Sequence, residues 1–298
     1  MTIAVCTRDR QDTLHQCLTS LVAQDFPKDA FEVIVIDDES ADRTTEIAKS
    51  FESKGPPSVR YMRQPYGGLS VGRNRAVTEG FGDLICFIDD DAEASPGWIT
   101  AMVDAARRHP DVECFGGRLL LRLEGRAPRT CGKESLAATL DLGDDEQLIT
   151  EIKGSNMAML RSGFERIGLF NPALVWRGDE ENWMHRLREQ GGRALYVPQA
   201  LVWHRRLPSD LRMTRLLKTR FGWGVGQVQF KRETGEPFEP RVEWRALRRW
   251  LTHAIRDRCT GGLLQASVKL GALWAGYFGE LRKPKQTAPT LAQSEDGQ

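Results

Sequence analysis

The sequence predicts an α/β protein built on a doubly wound, mostly parallel sheet, with a helical extension at its C-terminal end. Three observations predict it. Strand-like and helix-like patterns alternate four times within the first 100 residues, the order that gives right-handed βαβ units. Two of those strands end in clustered acids, Asp37-Asp38 and Asp89-Asp90-Asp91, and such strand ends converge on one edge of a parallel sheet. After about residue 206 the pattern changes to basic segments with helical spacing.

The elements follow in order. Thr2–Thr7 is a short first strand, Arg8–Asp12 a polar turn, and Leu14, Leu18, Leu21 and Val22 mark a helix face. Phe31–Ile36 is the second strand, and a helix runs from about Asp42 to Phe51 before Gly55-Pro56-Pro57 breaks it. Val59–Met62 is the third strand. Gly67–Arg75 is a glycine-rich basic loop entering a helix, and Leu84–Ile88 is a fully apolar strand. Cys114–Leu123 is strand-like. Residues 124–150 have little periodicity and read as a mobile loop over the site. Lys153–Leu160 is a small-residue strand, Arg161–Gly168 a short helix, and Asp179-Glu180-Glu181 opens a further helix that stops at Gly191-Gly192. Tyr196–Pro198 and Leu201–His204 are two short extended pieces.

Three adjacent carboxylates repel one another. A hard divalent cation relieves that repulsion, because Mg²⁺ and Mn²⁺ take oxygen ligands and share them with substrate phosphates. The alternative is a solvated acidic turn before the helix at Trp98. Asp37 and Asp38 offer acceptors for a base N–H or ribose hydroxyls, and the glycine loop with Arg73 suits phosphate. That loop is neither a G-x-x-x-x-G-K-[ST] phosphate loop nor a dinucleotide fingerprint, which would follow the first strand. Asp179-Glu180-Glu181 exceeds what helix capping needs, although acids do favour a first turn. His204 taken alone reads equally as a hydrogen-bonded, half-buried histidine.

Hydrophobic content of 40% and charged content of 28% are those of a soluble globular chain. Net charge is only +1, but residues 205–285 hold 18 Lys/Arg against 7 Asp/Glu, whereas residues 1–204 hold 24 against 32. The basic part therefore suits phospholipid or an anionic acceptor. The six cysteines show no C-x-x-C pair and no zinc spacing, and are expected to be small reduced core residues of a cytoplasmic protein. Met1 runs directly into a strand, so no signal peptide is expected. No apolar stretch reaches the ~18–20 residues of a membrane span.

In this order the motifs Val5–Arg10, Val35–Ser40, Gly72–Ala76, Phe87–Asp91, Gly154-Ser155-Asn156, Gly178–Glu181 and Val202-Trp203-His204 resemble the family-2 inverting glycosyltransferases with a GT-A fold. The resemblance covers about residues 2–204. It implies a metal-dependent transfer of a sugar from a nucleoside-diphosphate sugar, UDP type favoured, to an acceptor hydroxyl on a glycan, a lipid-linked sugar or a small molecule. It implies that Thr7 and Asp38, with Arg8, hold the nucleobase end, that Arg73 lies near the base or diphosphate, and that Asp90 faces the ribose. Asp89 and Asp91 would be the D-x-D ligands of Mn²⁺ or Mg²⁺, with His204 a further ligand. The family's Glu-Asp pair reads Asp179-Glu180 here, and alignment places the catalytic base at Glu180 with Asp179 its rival.

The expected organisation is a catalytic domain over 1–206, divided into a nucleotide-sugar half (1–110) and an acceptor half (111–206), then a basic helical extension over 207–284 and a disordered tail over 285–298. The extension carries three helical stretches: one around Leu211–Phe221, ended or interrupted by Gly222–Gly226, one around Trp244–Ile255, and an apolar one over Leu263–Leu281. Basic residues beside Trp and Phe suit contact with a membrane surface, at its inner face; packing on the catalytic part or in a homodimer is the alternative. Nucleic acid is not an expected partner. Two other classes remain in view. A nucleotidyltransferase would want a glycine- and lysine/arginine-rich signature right after the first strand, where Arg8-Asp9-Arg10 stands. A nucleotide-sugar-binding protein without activity would have no use for Asp179-Glu180-Glu181.

Overall fold

The computed structural model describes residues 1–131, 136–174 and 178–279. The expected tail over 285–298 lies outside the described residues. The first half alternates as its sequence dictates: β1 (Thr2–Thr7), α1 (Leu14–Val22), β2 (Glu32–Asp38), α2 (Thr44–Ser50), β3 (Ser58–Gln64), α3 (Leu69–Glu79), β4 (Leu84–Ile88), β5 (Ala92–Ala94) and α4 (Trp98–Arg108). β6 (Cys114–Leu123), β7 (Gln147–Leu148), β8 (Asn156–Leu160), α5 (Arg161–Ile167), α6 (Asp179–Glu189) and β9 (Ala194–Arg206) complete the sheet region.

Among the described residues these strands form one sheet in the order β3-β2-β1-β4-β8-β6-β9-β5, with β7 paired to β9. β3, β2, β1 and β4 run parallel to one another. β8 then runs antiparallel to both β4 and β6. Alternate residues of each strand feed cores on opposite faces. Ile3, Val5, Val33 and Val35 pack with α1 and α4 on one face, and Ala4, Ile34, Ile36 and Phe87 pack with Trp183 and Leu187 of α6 on the other. Covered on both sides, β1, β2 and β4 need the unbroken apolar runs they carry.

β9 corrects the expectation of two short pieces, since it runs unbroken for 13 residues. Pro198, which has no N–H to donate, sits where the pairing with β6 shifts register between Gly117 and Leu119. The bulge absorbs the proline. The described part of 124–150 is also tied down: Leu140 exchanges backbone hydrogen bonds with Leu119, and β7 pairs with β9.

The C-terminal helices are α7 (Met213–Glu233), α8 (Pro240–Arg256) and α9 (Thr260–Phe278). α7 runs straight through Gly222–Gly226, against the expectation of a break there. The glycines serve packing: a Cβ on Gly224 would lie 1.8 Å from the Val268 carbonyl oxygen, and one on Gly271 would lie 2.0 Å from that of Phe221. α7 and α9 thus approach backbone to backbone, which repays the helix propensity that glycine forfeits. The layer also touches the sheet region, with Phe230 against His185 and Asn171 donating to Glu233 at 2.8 Å.

Candidate active site

The C-terminal ends of β1, β2 and β4 open on a cleft of about 380 Å³. Ten of the residues singled out from the sequence line it: Thr7, Arg8, Asp38, Arg73, Asp89, Asp90, Asp91, Asp179, Glu180 and His204.

Asp89, Asp91 and His204 each place a donor atom within 4.8 Å of the others. Strand pairing does this across the chain: β5 and β9 pair with Ala92 opposite His204, and the Arg205 N–H donates to the Asp91 carbonyl. His204 Nε2 lies 3.2 Å from Asp91 Oδ1. Its Nδ1 faces the Ala138 carbonyl at 3.1 Å and its Nε2 faces the Arg206 guanidinium at 2.8 Å. A carbonyl only accepts and a guanidinium only donates. Nδ1 therefore donates to the Ala138 carbonyl, while Nε2 points into the cluster between the Arg206 guanidinium and the Asp91 carboxylate. Arg206 also pairs with Asp91 Oδ2, so a cationic group of the chain stands among these donors. Two carboxylates and one imidazole nitrogen are a donor set that fits a divalent ion. Burial favours protonation of Asp91, but His204, Arg206 and Arg10 outweigh it and hold that carboxyl well below the usual range. Asp90 moves the other way: burial pushes it up, opposed by Arg10 at 3.4 Å and assisted by the neighbouring Asp91 charge.

The second acidic cluster is joined to the first by Arg73. This arginine is buried within α3 and reaches Asp179 at 2.6 Å, Glu180 at 3.5 Å and Asp89 at 3.7 Å. It was expected at the base or diphosphate; instead three carboxylates hold it. Gly154 gives it passage, since a Cβ there would lie 2.3 Å from an Arg73 nitrogen. The two acids at the start of α6 differ in setting. The Asp179 side chain is 1% exposed, and burial raises its pKa, opposed by Arg73 and reinforced by Glu180. The Glu180 side chain is 21% exposed and also accepts from the Gly154 N–H at 3.4 Å. Geometry thus leaves Glu180 facing the cleft and Asp179 committed to Arg73.

The remaining motif residues divide similarly between cleft and frame. Ser155 donates to Asp89, whereas Asn156 turns away, accepting from Trp98 and donating to the Arg118 and Ala200 carbonyls at 2.8 Å. Asp38 lines the cleft but accepts from Gln64 and from the backbone N–H groups of Gly67 and Gly68. Those two amides, expected for phosphate, are used to shape the loop. Asp37 is a second correction: it is fully buried and accepts from Ser40, Thr45 and Tyr61, so it frames the turn rather than meeting a ligand. Arg8 lies over the Tyr66 ring at 4.0 Å on the cleft wall.

Sequence reasoning did not single out Arg10, Arg206 and Lys153 as cleft residues. For Arg206 a signal existed, because residues two apart on a strand share a face, and His204 was already a candidate. For Arg10 there was none, since its partners Asp90 and Asp91 lie some 80 residues away.

A parallel half-sheet with an acid-tipped strand, joined to a mixed half whose β9, parallel to β6 and antiparallel to β5, returns a histidine to those acids, defines a GT-A glycosyltransferase architecture. Solved structures agree. A mannosyltransferase from Pyrobaculum calidifontis with GDP-mannose and Mn²⁺ aligns over 94% of this chain and 87% of its own, with TM-score 0.64 and 14% identity. Residues 1–349 of S. aureus TarS with UDP-GlcNAc align over 93% and 91%, with TM-score 0.55 and 15% identity; a longer TarS chain is covered over 42% of its length. The chain belongs to glycosyltransferase family 2, whose model, Glycosyl transferase family 2, matches residues 2–168. Among curated relatives, the glucosyl-dolichyl phosphate glucuronosyltransferase of Haloferax volcanii is 26% identical over 69% of each chain. The GalNAc(5)-diNAcBac-PP-undecaprenol β-1,3-glucosyltransferase of Campylobacter jejuni is 23% identical over 70% of this chain and 66% of its own. The protein is a glycosyltransferase.

Proposed function

We propose that this glycosyltransferase is metal-dependent and inverting, and that it moves a sugar from a UDP-type donor to a hydroxyl of a lipid-linked acceptor. One observation carries the reading: the Asp89–Asp91–His204 donors and the Glu180 carboxylate face the same cleft with a single guanidinium between them. Asp91, His204 and Asp89 would hold Mn²⁺ or Mg²⁺, and Arg206, which lines the same cleft, would meet the donor phosphates. The bound ion supplies charge stabilisation for the departing diphosphate. Thr7, Asp38 and Arg8 form the nucleobase end, and Asp90, kept in place by Arg10, faces the ribose. Arg73 fixes the spacing between the two acidic groups and orients Asp179.

Glu180 is the base. The acceptor oxygen attacks the anomeric carbon from the side opposite the diphosphate. As the new carbon–oxygen bond forms, the bond to the diphosphate breaks and the acceptor proton passes to Glu180. A single displacement inverts the anomeric centre. The lipid-linked acceptor rests on the relatives, two of which are named for dolichyl- and undecaprenol-linked sugars, and on the basic, partly apolar surface of α8 and α9. That surface suits the inner face of a membrane; among the described residues no helix is long and apolar enough to cross one. Incubation with α-linked UDP-sugars, Mn²⁺ and polyprenyl-linked sugar acceptors tests the proposal. UDP release with a β-linked product is expected. An α-linked product overturns inversion, and pyrophosphate release overturns transfer in favour of nucleotidyl chemistry.

A further inference from the structure

A second group of metal-ligating side chains lies outside the cleft. Cys131, His253 and Cys259 place their sulfur and nitrogen atoms within 4.8 Å of one another. The sequence showed no zinc spacing because the three come from distant places: the segment after β6, the last turn of α8 and the start of α9. Cys131 is exposed, correcting the expectation of a core cysteine, while Cys259 is buried.

Local structure brings them together. The Thr260 N–H and hydroxyl both donate to the Arg129 carbonyl, pinning the chain two residues before Cys131 to the first turn of α9. Gly262 lets that turn press on α8, since a Cβ there would lie 2.8 Å from the Ala254 nitrogen, one residue past His253. His253 is then oriented from behind: its Nδ1 lies 2.6 Å from Asp257 Oδ2, and Asp257 is itself held by Arg256. An ionised carboxylate only accepts, so Nδ1 donates to Asp257 and Nε2 is left facing Cys131 Sγ at 3.4 Å. This carboxylate–histidine arrangement is the outer support of zinc sites. In a tetrahedral ion with Zn–S of about 2.3 Å and Zn–N of about 2.0 Å, the sulfur and nitrogen sit about 3.5 Å apart, close to the separation found.

We propose that Cys131, His253 and Cys259 bind a thiophilic divalent cation of the zinc type, with Asp257 as the positioning residue for His253 and a solvent water as fourth ligand on the exposed Cys131 side. Binding displaces the thiol protons to solvent. Cys259 stands at the N-cap position of α9, a setting that favours a thiolate. The ion ties the segment after β6 to the α8–α9 turn.

Cobalt is the probe. The reduced, metal-stripped full chain is titrated with Co²⁺ and the thiolate-to-cobalt charge-transfer absorption is recorded. A saturating band at one equivalent, displaced by Zn²⁺, is expected in the wild type and in Asp91→Ala, whose change lies in the cleft. Cys131→Ser, Cys259→Ser and His253→Ala are expected to lose the band at equimolar cobalt. Cys131 is exposed, so its serine variant folds whatever the others do, and far-ultraviolet circular dichroism checks each. The proposal is overturned if the reduced wild type shows no thiolate band. It is equally overturned if Cys131→Ser keeps the band at full intensity.

Discussion

Asp179 and Glu180 are adjacent in the chain and opposite in circumstance. Asp179 is buried against Arg73, while Glu180 keeps one side toward the cleft. Glu180→Gln is therefore expected to lower kcat by roughly 10²–10⁴-fold, the usual worth of a positioned base, with donor affinity unchanged. Asp179→Asn is expected to lose about 2 kcal/mol of stability, because it weakens a buried charge pair. Arg73 keeps Asp89 and Glu180, which limits the loss. Steady-state turnover alongside urea unfolding separates the two, and near-normal turnover in Glu180→Gln would remove the base assignment. Asp37 gives a pH signature. Burial would raise its carboxyl, but hydrogen bonds from Ser40, Tyr61 and Thr45 outweigh that and depress it. Its contribution is then fully present above the unfolded value near 4 and is lost as pH falls through the lower folded value. Asp37→Asn should be less stable than wild type by about 2 kcal/mol near pH 7, and the gap should narrow below about pH 4. Urea midpoints across that range measure it; a gap that stays constant would show that the charge of Asp37 is not what the turn uses. At this scale the sequence was a good guide to most acids that gather in the cleft, because strand ends and a helix start announce them, with Asp37 the exception. It was a poor guide to their partners. Arg73 was read as a phosphate ligand, since nothing local marks a residue 106 positions away as its counter-ion.

Helices and strands were legible where periodicity was uninterrupted and misread where a breaker sat inside an element. Pro198 split β9 on paper, but a bulge accommodates it; Gly222–Gly226 ended α7 on paper, but α9 lies against those glycines. In both cases tertiary contact overrode a local signal. α8 carries an outward face whose purpose packing does not explain. Trp244, Leu251 and Ile255 are exposed on it, and Leu247 is the buried residue of the helix. Arg241, Arg245, Arg248 and Arg249 accompany them. Such a face binds an anionic interface through apolar insertion plus charge. Sedimentation with phosphatidylglycerol vesicles should therefore capture the chain at low salt and release it as the Debye length shortens from about 10 Å toward 3 Å. Trp244→Glu combined with Arg248→Glu should abolish capture. Wild-type protein that stays in the supernatant at low salt would contradict the membrane-surface reading and favour a protein partner on this face.

Across the whole molecule, the parallel half of the sheet followed from alternation alone, whereas the insertion of antiparallel β8 between β4 and β6 did not. Register between segments some 70 residues apart has no local signature, and it is this insertion that brings Ser155 onto Asp89. The same return of chain sets His204 beside Asp91, so the proposed metal site depends on fold and site together: the acids after β4 and the histidine of β9 would hold the cation that meets the donor diphosphate. Calorimetric titration of UDP into the wild type and Asp91→Ala, each with and without Mn²⁺, tests that claim most directly. Mn²⁺ should tighten UDP binding to the wild type by roughly 10- to 100-fold, the scale on which changes around a metal site alter affinity, and should leave Asp91→Ala unaffected. Equal tightening of both proteins would contradict the account.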